Sequence, residues 1–283
     1  MHETITIGHT SVASGERLHQ IEMPRFGLGV WQMAEGGQCK GAILHAINSG
    51  YRLIDTARAY SNESETGEAI RESGVERDEL FVVTKLRRMD AVSYDETIQH
   101  CRKSLDNLGL DRMDLYLVHA PPEDIDARAT VWRGMEECLE RGWTRAIGVS
   151  NYGAHHLDAM RSYATIMPSV NQIEIHPWLQ RPALHAATEA IGAVPMAYSP
   201  LARGDKISDV RLVAIAESVG CTPAQAAIKW VYDTGAITIP KSSNHGRIDE
   251  NYASLSVDLA GTEADFAVME EEYVSGWNPT AEP

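Results

Sequence analysis

From residue 25 nearly to its end, the chain alternates short apolar, β-branched runs with longer segments whose apolar positions recur every three or four residues. The short runs are 25–30 (RFGLGV), 51–55 (YRLID), 80–84 (LFVVT), 113–118 (MDLYLV), 145–149 (RAIGV), 169–173 (SVNQI), 194–198 (VPMAY) and 236–239 (AITI). Their nearly continuous apolar character predicts strands buried on both faces, as in a parallel sheet. Segments such as 94–108 and 127–141 carry helical spacing and predict amphipathic helices laid over those strands. Eight such units in succession predict an α/β fold, a (β/α)8 TIM barrel. Ahead of the first unit, ITIGHTSVASGERLHQI holds two alternating segments around a Ser-Gly turn, which predicts an N-terminal β-hairpin closing the bottom of the barrel.

No Pro- or Gly-rich linker and no break in composition interrupts the chain, so residues 1–283 read as a single domain. The acidic segment 262–283 predicts a tail whose last residues are mobile coil. An open doubly wound sheet is the competing arrangement of eight units, and it carries G-x-G-x-x-G after its first strand. Here Gly27 and Gly29 lead to Gln32 where the third glycine belongs, and the two glycines read as small residues of a tightly packed strand.

Composition narrows the partners. With 43% hydrophobic residues over 283 positions the chain buries a large core, while a net charge of −15 repels phosphate backbones and anionic lipid surfaces. Nucleic acid and membrane partners are therefore not expected, and an anionic ligand needs a local basic cluster. Lys241, a Ser-Ser pair and Arg247 supply one where a short strand gives way to a helix. Cys39, Cys101, Cys138 and Cys221 are widely spaced and form no CxxC pair, which predicts a reducing compartment and no metal knuckle. Neither a secretory leader pattern nor an apolar run of ~20 residues is visible, so the expectation is a soluble, cytoplasmic protein, and the lack of a heptad or apolar patch predicts a monomer.

In a barrel of this kind the reactive groups gather at the C-terminal ends of the strands. Strand two ends in Asp55 and its loop carries Tyr60; strand three ends at Lys85 and strand four at His119. A phenol is a weak acid at neutral pH unless a cation stabilises its anion, and Lys85, held by Asp55, is placed to be that cation. His119 would orient a carbonyl oxygen toward Tyr60. Each of these residues, taken alone, also fits a structural ion pair or a packing role; the set of four points to polarising a carbonyl and giving it a proton.

The segments GYRLIDTARAY (50–60), VVTKL (82–86), LGLDRMDLYLVH (108–119), RAIGVSNY (145–152), NQIEIHP (171–177), AYSPLARG (197–204) and IPKSSNHGRIDEN (239–251) run in order across almost the whole chain. Together they resemble the aldo-keto reductase family, in particular its compact microbial members such as diketogluconate reductases. The resemblance implies an NADPH-dependent reductase of a small-molecule carbonyl substrate, with Asp55, Tyr60, Lys85 and His119 as the catalytic tetrad. It further implies that Ser150, Asn151 and Gln172 hold the nicotinamide carboxamide and that Tyr198 stacks on the ring. Ser199 and Leu201 would line the pyrophosphate path, Lys241, Ser242 and Arg247 would hold the ribose phosphate, and Glu250 and Asn251 would lie toward the adenine. Trp31, with His119, would face substrate; Trp178 is a further aromatic candidate, and core packing is the competing account of both tryptophans. The chain departs from the family pattern at Ser61, where glycine is usual, and at Ala120, where tryptophan is common and a methyl group should widen the pocket.

Two rivals compete. GVSNY (148–152) resembles the hydrolase elbow G-x-S-x-G, but Tyr152 stands where the second glycine permits the sharp turn. A metal-dependent hydrolase lacks its ligand patterns, HExxH and HxH being absent and His155 and His156 being adjacent helical positions expected to face different directions, so no metal is expected. The alternative on the same fold is a non-catalytic NADPH-binding sensor or partner-gating module.

Overall fold

The computed structural model describes residues 3–34 and 36–283. The strands are β1 (Thr4–Thr10), β2 (Arg17–Pro24), β3 (Leu28–Gly29), β4 (Leu53–Asp55), β5 (Phe81–Leu86), β6 (Met113–Val118), β7 (Thr144–Ser150), β8 (Val170–Glu174), β9 (Val194–Tyr198) and β10 (Ile237–Ile239). The helices are α1 (Gln38–Asn48), α2 (Glu63–Glu72), α3 (Tyr94–Leu108), α4 (Ala127–Glu140), α5 (Ala154–Met160), α6 (Pro182–Ala190), α7 (Val210–Val219), α8 (Pro223–Asp233), α9 (His245–Ala253) and α10 (Glu263–Ala267). Strands β3 to β10 pair in parallel in chain order, and the bridges Phe26–Thr238 and Gly29–Lys241 close the first strand onto the last. This is the expected barrel. β3 is shorter than the 25–30 run suggests because closure uses only alternate residues of that run, through the N–H of Gly27 to Thr238 O and of Gly29 to Pro240 O.

Two glycines make that closure possible. A Cβ on Gly27 would stand 2.4 Å from Leu53 Cγ, and one on Gly29 would stand 3.2 Å from Ile239 O, so any side chain there would push β3 off its neighbours. The helices end where local chemistry says they should: Ser93 accepts from Glu96 N at 3.3 Å to start α3, and Gly109, at φ 61°, ends it. Thr222 and Gln225 form a reciprocal capping box at α8, with Pro223 in its first turn.

The hairpin β1–β2 is a separate antiparallel pair that plugs the N-terminal end of the barrel. Its Ile7 and Met23 pack with Leu53, Phe81, Leu115 and Ile237 in the barrel interior. His9 fastens it: Nδ1 lies 2.9 Å from Met167 O, and Ile147 N donates to Nε2 at 3.3 Å. Burial lowers the His9 pKa to about 4, so the ring is neutral and serves as one donor and one acceptor.

The expectation of a mobile tail is overturned. Glu174, at the end of β8, accepts from Ser275 N at 3.1 Å; Arg181 donates to Thr280 Oγ1 at 2.6 Å and Asn278 Oδ1 at 2.9 Å; and Arg88 stacks over Trp277 while pairing with Glu282. Cationic side chains after the strand ends give the polar and acidic tail specific partners, which composition alone does not disclose. His155 and His156 do not face different directions either. Their rings are 3.9 Å apart, and their Nε2 atoms meet Glu282 O and Pro283 O, because the first turn of α5 turns both side chains onto the tail. Among the described residues no helix is long and apolar enough to cross a membrane.

Candidate active site

At the C-terminal end of the barrel, Asp55 and Lys85 form a buried ion pair, Nζ to Oδ1 2.6 Å, with 2% and 0% exposure. Thr56 O accepts from the same ammonium at 2.8 Å, and Gln172 Nε2 donates to the other carboxylate oxygen at 2.8 Å. Lys85 Nζ also lies 3.5 Å from the Tyr60 hydroxyl, which is 3.5 Å from His119 Nε2. The four residues that sequence placed at three neighbouring strand ends therefore meet. The Tyr60 and His119 rings stand edge to face, 5.5 Å apart.

Burial dominates the electrostatics. It pushes Asp55 up and Lys85 down, while their mutual attraction opposes both shifts. It also raises Tyr60 well above the ordinary phenol value, with the Asp55 charge adding to the rise. Burial is the largest cause of that rise, so the resting phenol is held protonated. His119 is lowered to about 3 by burial and then by the Lys85 charge, so its imidazole is neutral throughout the physiological range.

Asn62 holds the turn that carries Tyr60, and sequence reasoning missed it. Its carbonyl accepts from Thr56 Oγ1 at 2.7 Å and its amide donates to Val30 O at 2.9 Å, tying the turn to the ends of β3 and β4. The available signal was a polar residue between Tyr60 and the start of α2, which looks like an ordinary helix cap.

The chain matches the Aldo/keto reductase family over residues 25–205 and 208–271. The chain belongs to that family. It is 40% identical to a glyoxal reductase of Bacillus subtilis over 95% of this chain and 98% of that one. It is 39% identical to a morphine 6-dehydrogenase of Pseudomonas putida over 89% of this chain and 88% of that one. A solved aldo-keto reductase of the silkworm Bombyx mori, complexed with NADPH, superposes with a TM-score of 0.86 at 28% identity, covering 98% of this chain and 91% of that one.

In this aldo-keto reductase the residues assigned to the nicotinamide end form one hydrogen-bonded patch. Ser150 donates to Gln172 O at 2.9 Å, Asn151 donates to His119 O at 2.9 Å, and the Tyr198 hydroxyl donates to Asn151 Oδ1 at 2.8 Å. Asn151 sits at φ 62°, a conformation its short amide side chain tolerates. Ser199, at φ 50°, and Leu201 continue from β9, and Leu201 packs against the apolar clusters on either side.

At the other end of the mouth, Lys241 bridges to Gly29, and neither it nor Arg247 is paired with a carboxylate among the described residues. Ser242 Oγ accepts from Asn244 N at 3.1 Å. The N–H of Arg247 is taken, because Asn244 caps α9 and accepts it at 3.0 Å. Asn251 is buried, and the Glu250 carboxylate is engaged by Thr222 Oγ1 at 2.7 Å.

Trp31 is partly exposed, with the Arg203 guanidinium 4.5 Å from its ring centre. Trp178 is fully buried and donates to Asp209 Oδ2 at 2.8 Å, so core packing is the correct account of it. Ser61 adopts φ 58°, the left-handed conformation that explains glycine as the usual occupant, and Ala120 is buried. Among the described residues no group of three or more His, Cys, Asp or Glu side chains is arranged to hold a metal ion.

Proposed function

We propose that this reductase converts aldehydes or ketones to alcohols with NADPH, using Tyr60 as the proton donor. The observation that carries the reading is the convergence of Tyr60, Lys85 and His119 on one point, with Asp55 buried behind them. The cofactor assignment rests on the chemistry of the donor set. Lys241 and Arg247 are cations without a carboxylate partner among the described residues, in a chain of net charge −15, and two such charges favour a ribose phosphate, hence NADPH over NADH. Ser150, Asn151, Gln172 and Tyr198 would hold the nicotinamide end, Ser199 and Leu201 the pyrophosphate, Ser242 the ribose phosphate, and Glu250 and Asn251 the adenine end.

When bound, the dihydronicotinamide supplies the hydride that reduces the carbonyl carbon. The chain's residues do the rest. A carbonyl oxygen lodged between Tyr60 and His119 would meet the phenol hydroxyl and, in the tautomer protonated on Nε2, the imidazole N–H, which orients it without adding charge. The phenol, held protonated by burial, is a donor that is always loaded. As negative charge grows on the oxygen, Tyr60 gives up its proton and the phenolate left behind faces the Lys85 ammonium, which Asp55 keeps in position. Trp31 lines the approach for substrate.

Mixing the protein with NADPH and 4-nitrobenzaldehyde and following the reduced-nicotinamide absorbance tests this. Decay that disappears in Tyr60→Phe, while NADPH still quenches tryptophan fluorescence, supports the enzyme. Quenching without decay across a panel of carbonyls would favour the sensor instead.

A further inference from the structure

Outside the barrel mouth a cavity of roughly 360 Å³ opens beside the turn that carries Tyr60. Arg58 and Ser61 of that turn line it, with Ser64 at the start of α2, Arg87 after β5, and Lys103 and Asn107 on α3. Arg58 and Arg87 share a single carboxylate, Asp90, at 2.9 and 2.7 Å. Only Nε of Arg58 is engaged, leaving both terminal nitrogens without an acceptor among the described residues, and Lys103 has no partner there at all. The hydroxyls of Ser61 and Ser64 are likewise unbonded among those residues.

The opposing charges are accounted for. Glu63 also faces the cavity, but Thr84 Oγ1 donates to one of its oxygens at 2.7 Å and Asn107 Nδ2 to the other at 2.9 Å. His100, 3.7 Å from Asp90, is lowered by burial, which disfavours its charged form. Three cations thus face two carboxylates that already have donors, in a protein whose overall field is negative. The first turn of α2 has no side-chain cap, because Asn62 is turned inward, but it carries Glu63 and Glu65, so the surplus of cations rests on the three side chains alone.

We propose that this cavity binds a small polyvalent oxyanion of the phosphate or phosphomonoester class. The terminal nitrogens of Arg58, with Lys103, Ser61 and Ser64, supply donors that no group among the described residues uses, and a tetrahedral dianion can accept from all four. Because Arg58 and Ser61 flank Tyr60 in sequence, an anion held between them and α3 fixes the turn from outside the barrel. That link to chemistry rests on the role assigned to Tyr60 above; the binding itself does not.

The probe is inorganic phosphate, titrated at constant ionic strength against chloride into protein saturated with NADP+, so that the basic end of the mouth is filled. Backbone amide shifts of Ser61 and Ser64 give a local readout. Saturable shifts with phosphate, weakened at least about tenfold in Lys103→Glu and less in Arg87→Gln, are the expected result. Equal responses to phosphate and chloride, or an unchanged affinity in Lys103→Glu, would overturn the site, and shifts only at concentrations where chloride acts equally would mark an adventitious ion only. Lys103 is exposed, so its replacement leaves the fold intact. Absence of NADP+ binding in the first step would count against the cofactor assignment alone, because the Ser61 and Ser64 readout judges the cavity in either case.

Discussion

Lys85→Met tests the central pair with a magnitude that the structure sets. Methionine nearly fills the same volume, so the loss is one charge and its hydrogen bonds to Asp55, Thr56 and Tyr60. Asp55, 2% exposed, is left with Gln172 as its side-chain donor. Breaking a buried pair this way costs about 3–5 kcal/mol, unless the orphaned carboxylate takes up a proton. In the unfolded chain an aspartate titrates near 3.9, so keeping Asp55 protonated at pH 7 costs about 1.4 kcal/mol for each of roughly three units, or about 4 kcal/mol. At pH 5 the same escape costs only about 1.5 kcal/mol.

The sign follows from proton uptake: with its pKa raised in the folded variant, Asp55 binds more protons folded than unfolded above pH 4, and stability falls as pH rises. Urea unfolding of wild type, Lys85→Met and the double variant Asp55→Asn/Lys85→Met at both pH values reads this directly. The single variant is expected to lose about 4 kcal/mol at pH 7 and clearly less at pH 5, and the double variant to recover much of the loss. A pH-independent loss, or no recovery in the double variant, would refute the argument. In the same variant NADPH binding should survive while turnover falls by roughly 10²–10⁴, the range for a disabled general acid.

Acid should unfold the protein early. His9 and His119 are held near 4 and 3 when folded, so below about pH 6.5 the unfolded chain takes up protons that the folded chain refuses; stability drops as pH falls, by about 1.4 kcal/mol per unit for each ring. His9→Gln should flatten that slope between pH 6.5 and 5 in urea titrations, and an unchanged slope would count against the assignment. Gly67→Ala places a Cβ 1.7 Å from Leu108 O, forcing α2 and α3 apart, and is expected to cost about 3 kcal/mol; a thermal midpoint equal to wild type would show that the helices part freely. Lys241→Ala should raise the KM for NADPH about tenfold or more and leave that for NADH nearly unchanged, since only the former carries the ribose phosphate; equal effects on both would place Lys241 elsewhere.

The alternation of apolar runs and helical periodicity marked eight βα units, because a strand buried on both faces cannot hide its pattern; the missing G-x-G-x-x-G and the family resemblance favoured a barrel over an open sheet. β6, β9 and α3 fall on the residues their patterns mark, and the strand ends correctly located Asp55, Tyr60, Lys85 and His119. Register and closure were not legible: only packing shows that Gly27 and Gly29 are small so that Leu53 and Ile239 can approach.

What folding alone decided concerns partners far apart in the chain. The tail is fixed by Arg88, Arg181 and Glu174, residues whose reach depends on which strand ends lie side by side. The state of Tyr60 is set by burial and by the Asp55 charge, and the same burial made Trp178 core. Residue types name the chemistry available to a chain, since each side chain carries its donors and charge with it; the dielectric around those groups and the neighbours that share their protons exist only once distant segments have packed together.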